Sequence, residues 1–144
     1  VNTLPTAEPE IDAFLEAFES GTLPKARWTH AAHIFTGACA VHALGESAAI
    51  DHMRTSIRRY NEAVGGQNTE TSGYHETVTL FWVKLIAQLH RTQPDTTPRA
   101  AFAALAVDRF AQDRTLLTRY YDFDVINSTE ARRSWHPPTL IAVE

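Results

Sequence analysis

The sequence predicts an all-α protein: one domain, residues 1–144, folded as an antiparallel bundle of about five to seven helices. Three observations carry that prediction. Apolar residues recur at three- and four-residue spacing along most of the chain, which is the helical period. Glycines, prolines and capping hydroxyls fall where those apolar stripes begin or end. No segment alternates apolar and polar residues between hairpin turns, as a half-buried strand would.

The first stripe is Ile11, Phe14, Leu15 and Phe18, after Pro9 and before Gly21, and predicts a helix over 9–19. Residues Gly21 to Trp28, with Pro24, read as a connection. Thr29 is placed to cap a second helix from about His30 to Leu44, ended by Gly45. Ile34, Gly37, Val41 and Leu44 cluster on one side of it, with His30 near the middle of the stripe, His33 on its edge, and Gly37 leaving room beside them. Ser47 to Val64 form a third helix with Ile50, Met53, Ile57, Tyr60 and Val64 inward and Arg54, Arg58, Arg59 and His52 in solvent, ended by Gly65-Gly66. The polar stretch 67–73 reads as a loop. A fourth helix then runs from near Gly73 to about His90 on Tyr74, Val78, Phe81, Trp82, Leu85 and Leu89. Leu80 and Val83 give it a second apolar side, making it the candidate central helix or a homodimer contact. Thr97-Pro98 open a fifth helix carrying Phe102, Leu105, Ala106 and Phe110. A shorter sixth covers about Arg114 to Tyr121, and Ser128 caps a last one through Trp135, stopped by His136-Pro137-Pro138.

Composition narrows the function. Thirteen basic against seventeen acidic side chains give a charge of −4, which argues against a nucleic-acid partner. No apolar run is long enough to span a membrane. The start Val-Asn-Thr-Leu-Pro lacks signal-peptide order, and a single cysteine, Cys39, allows no internal disulfide; both predict a soluble, cytoplasmic chain.

Position separates the seven histidines. His52, His42 and His90 read as solvated, partly exposed and dipole-complementing groups respectively. His30 and His33, three apart, are neighbours on one helix face. His75 sits on the inward side of the fourth helix. If the second and fourth helices pack together, His30, His33 and His75 converge, and burying three unpaired imidazoles is costly unless an ion or ligand offsets it. Three histidines with an open position suit a divalent transition metal: zinc, iron, nickel or copper. Without a metal, the same histidines and Tyr74 supply acid–base groups. Trp82, Arg119, Tyr120 and Trp135 are candidate ligand contacts, since arginine beside aromatics suits a carboxylate or flat ring. Arg132 and Arg133 belong to the same C-terminal crowd and read as surface charges. Within the tetrad Tyr74-His75-Glu76-Thr77, Glu76 and Thr77 are expected to face outward.

The stretches Trp28-Thr29-His30-Ala31-Ala32-His33-Ile34, Gly73-Tyr74-His75-Glu76-Thr77-Val78-Thr79 before Phe81-Trp82, and Ser128-Thr129-Glu130-Ala131-Arg132 with Trp135 and its prolines resemble a family of small bacterial all-helical proteins. The resemblance covers nearly the whole chain. It implies that His30, His33 and Tyr74–Thr77 are marked positions and suggests small-molecule metabolism, but it supplies no reaction. His136 departs from the pattern and is not carried over. The expectation is a small-molecule enzyme with a histidine-lined pocket, of lyase, isomerase or hydrolase type. The alternatives are a non-catalytic ligand-binding module, or a helical interaction protein whose histidines are structural.

Overall fold

The computed structural model describes residues 3–113 and 115–144. Within them the chain is all-helical: α1 (Glu8–Ser20), a 3₁₀ turn (Lys25–Arg27), α2 (His30–Leu44), α3 (Glu46–Ala63), α4 (Glu76–His90), α5 (Arg99–Phe110), α6 (Leu116–Tyr120) and α7 (Thr129–Arg133). Val1 and Asn2 of the expected N-terminal reading, and Arg114 of the expected sixth helix, lie outside the described residues.

The helix ends follow local chemistry. α1 starts with proline in its first turn and ends at Gly21, whose φ of 79° is a left-handed cap that lets its N–H reach back to the last turn. Thr29 caps α2 by accepting from the Ala32 N–H, and Ser128 caps α7 by accepting from Ala131. Some ends depart from expectation, among them that of α7, which stops at Arg133 instead of running through Trp135. α5 begins after Pro98, with no side-chain cap from Thr97. α4 begins at Glu76 rather than Gly73, because His75 itself is its cap.

Side-chain registers fix the helix directions. Arg54 meets Glu76 while Lys84 meets Glu46, so α3 and α4 are antiparallel. His30 meets Trp82 and His42 meets His90, so α2 and α4 run the same way. The His42 Nε2–H donates to the Thr97 carbonyl near the start of α5, and Phe35 shares a cavity with Val107 near its end, so α5 runs back along α2. The result is an up-down-up-down bundle, with α1 laid against α3.

The most enclosed helix is α2, not α4 alone. Residues Ile34 to Val41 are buried on every side, against the single stripe that periodicity suggested. Small side chains make this possible. A Cβ on Gly37 would sit 3.2 Å from Ile86 Cδ1, so this glycine brings α2 and α4 together instead of opening a space beside the histidines. Both apolar sides of α4 are covered within the chain, which packs α2, α3, α5 and α7 against it. The exposed large apolar side chains among the described residues are Leu44, Phe123, Ile126, Leu140 and Ile141, none of them on α4. The surface that suggested a homodimer is therefore used internally. No helix among the described residues is long and apolar enough to cross a membrane.

Candidate functional site at the start of α2 and α4

Both helices open at the same end of the bundle. At the start of α2, Trp28 stacks on Phe18 with centroids 4.3 Å apart, and lies 5.3 Å from Tyr60. The Tyr60 hydroxyl donates to the Leu23 carbonyl at 2.8 Å and so anchors the connection that carries Trp28. His33 lies against Trp28 at 4.0 Å, and His30 meets the Trp82 ring edge-on at 5.3 Å. All four of these rings are half-buried.

The His33 ring has a defined tautomer. Nδ1 is 2.8 Å from the Thr29 carbonyl, which can only accept, so Nδ1 carries the proton and Nε2 carries a lone pair. Burial, with a smaller contribution from His30, lowers its pKa from 6.5 to about 4 even though the Thr29 bond works the other way. His33 is thus a neutral acceptor at neutral pH.

His75 is arranged differently. Its Nδ1 accepts from the Val78 N–H at 3.1 Å, which caps α4, and its Nε2–H donates to the buried Val125 carbonyl at 2.8 Å. Burial also lowers its pKa, outweighing the Val125 bond. With both ring nitrogens engaged, no lone pair remains to join His30 and His33. Among the described residues no group of three His, Cys, Asp or Glu side chains is placed to hold a metal ion. The expected three-histidine centre, whether for zinc, iron, nickel or copper, does not fit the residues as they are arranged. The reason is that an imidazole at a helix start found its partners in the backbone.

The rest of the tetrad is also engaged. Glu76, expected to face solvent, receives two hydrogen bonds from Arg54, at 3.0 and 2.7 Å, and one from the Tyr74 hydroxyl at 2.6 Å. Burial alone would raise its carboxyl pKa, but Arg54 and Tyr74 together hold it below the ordinary carboxylate value. Burial and the negative Glu76 in turn raise the Tyr74 phenol, keeping it protonated. Arg54, expected in solvent, is drawn in to Glu76, whereas Arg58 stays exposed as expected while lying over the Tyr74 ring at 4.7 Å. Thr77, expected exposed, is fully buried. Its hydroxyl donates to the Ser134 carbonyl at 2.8 Å and accepts from the His136 N–H at 3.0 Å, which ties the C-terminal segment onto α4.

The remaining candidates are dispersed. Trp82 joins His30. Tyr120 packs its ring 5.0 Å from Phe81, Trp135 lies under Lys84 at 5.5 Å, and the exposed Arg119 pairs with Asp113. Sequence reasoning missed Arg54 and Arg58, since their partners are on α4 and in the tetrad and leave no periodic signal. No protein-family model, curated protein or solved structure matches the chain.

Proposed function

We propose that the chain binds and acts on a small organic molecule at the start of α2, where His33 takes a hydrogen bond or a proton from it and His30 and Trp82 form the neighbouring wall. One observation carries this reading: the Nε2 lone pair of a half-buried, neutral His33 whose orientation is fixed by Thr29. A neutral imidazole of fixed tautomer is what proton abstraction requires, as in lyase, isomerase or hydrolytic chemistry. Trp28 and Trp82 supply the apolar surface that a small ligand buries. A second reading, binding without turnover, is favoured by the low pKa of about 4, since a general base works best with a pKa near the working pH.

The test is a ligand-observed NMR screen of small hydroxy acids, amides and phenols against wild type, His33→Gln and His30→Gln. Binders that contact the pair are expected to weaken at least about tenfold in His33→Gln, the value of a lost buried hydrogen bond. A compound consumed over hours, and about a hundredfold more slowly by His33→Gln, identifies an enzyme. Unaltered binding and turnover in both variants would remove the histidine pair from function.

A further inference from the structure

Beside Tyr74 lies a cleft of about 260 Å³ that the histidine reading does not use. Its wall includes Arg58 of α3, Tyr74, Arg132 and Arg133 of α7, and Thr69 and Glu70 of the intervening loop. Three arginines face one carboxylate there, in a chain of net charge −4.

Their existing partners leave that positive charge largely uncompensated. Arg132 donates to the carbonyls of Gly73, Tyr74 and Ile126, which fix its guanidinium without neutralising it. Arg58 lies on the Tyr74 ring, and the nearby Glu76 carboxylate is already bonded to Arg54. Among the described residues Arg133 reaches only Glu70, at 3.8 Å between two well-exposed side chains. Glu62, at the end of α3, accepts from the Asn68 side chain at 3.2 Å, keeps its charge, and is not among the residues that line the cleft.

The cleft is also preformed. Asn68 closes the loop by donating to the Arg58 carbonyl and accepting from the Tyr74 N–H at 2.9 Å. Gly73 has φ of 81°, and a Cβ there would lie 2.3 Å from the Gln67 carbonyl oxygen, so the loop is drawn tight at the one residue that permits it. A rigid loop between two arginine-bearing helices lowers the ordering cost of binding.

We propose that this cleft binds a small molecule through a phosphate or carboxylate group, which bridges Arg58 and Arg133 and takes the place of Glu70. Guanidinium groups match both oxyanions in paired hydrogen bonds, and the volume suits a small anion. The inference stands without any role for His33.

The experiment is an amide NMR titration of the full chain with inorganic phosphate and with succinate, each against sodium chloride of equal ionic strength. Saturable shifts at Thr69, Glu70 and Arg133 with either probe support the site, and the stronger probe assigns the oxyanion. The double variant Arg58→Gln/Arg133→Gln is expected to bind at least tenfold more weakly. Glu70→Gln, which removes the competing carboxylate from an exposed position, is expected to bind severalfold more tightly. Linear shifts no larger than those with chloride, or affinities unchanged in both variants, would overturn it.

Discussion

The starts of α2 and α4 look alike in sequence and behave differently in the structure. Each has a histidine within the first turn or its cap, beside a threonine and an aromatic residue. At α2 the capping is done by the Thr29 hydroxyl, so His33 needs only one backbone bond and keeps a lone pair. At α4 the imidazole of His75 takes the capping position itself and must also satisfy Val125. Thr77, freed from capping, is buried and holds the C-terminal segment. One imidazole thus keeps a ring nitrogen unbonded at one helix start, and the other has both engaged by the fold. What decides is which side chain takes the exposed N–H groups of the first turn.

The largest test of this contrast is stability. His75→Ala removes a cap, strands the buried Val125 carbonyl and opens a small cavity, and is expected to cost about 3 kcal/mol. His33→Ala removes one hydrogen bond from a half-buried ring and is expected to cost about 1 kcal/mol. Urea denaturation followed by circular dichroism measures both. Equal costs would mean that His33 is as structural as His75, and the ligand reading of the α2 start would lose its basis.

The bundle itself was legible from the chain because helical period and caps are local signals: Thr29, Ser128, Gly21 and Gly45 all mark real ends. The arrangement at the site was not. Periodicity places His75 on an inward face, but cannot tell a ring that meets a carbonyl 50 residues away from one that meets two other imidazoles. Thr77 and Glu76 read as exposed on an isolated helix. They are covered by α7 and by Arg54 of α3, which are tertiary neighbours that no spacing in the sequence announces. Gly37 likewise signals either a space or a close contact, and only its distance to Ile86 identifies the contact.

A second test uses pH. The folded pKa of His33, about 4, lies below its unfolded value of 6.5, so the unfolded chain binds the extra proton first. The neutral ring's contribution is therefore complete above about pH 6.5, declines as pH falls through that window, and levels off below about 4. Allowing for the ring's partial exposure, the loss is on the order of 2 kcal/mol. His75, also held low by burial, adds in the same direction, so the informative quantity is the difference between wild type and His33→Asn. Unfolding free energies at pH 7, 5.5 and 4.5 are expected to fall less steeply in the variant. Parallel curves would show that His33 is not held neutral by the fold, and the contrast with His75 would collapse from that side.

The smallest effect sharpens the comparison most at Tyr74, whose hydroxyl the sequence offers as an acid–base group and the structure engages on Glu76 at 2.6 Å. Tyr74→Phe keeps the ring beneath Arg58 and leaves both Arg54 bonds to Glu76 in place, so its cost is expected to be only about 1 kcal/mol at pH 7. The informative readout is the Glu76 carboxyl. With one donor removed, its pKa is expected to move up toward the ordinary carboxylate value, followed by carbon-detected NMR of the side-chain carboxyl. Because a lowered carboxylate pKa stabilises the fold above the unfolded value and is lost as pH falls through the folded one, the variant is also expected to lose this contribution at a higher pH than wild type. A Glu76 titration unmoved by Tyr74→Phe would mean that the hydroxyl is not held by the carboxylate. Tyr74 would then belong with His33 among the groups open to a ligand, and the start of α4 would no longer be the consumed member of the pair.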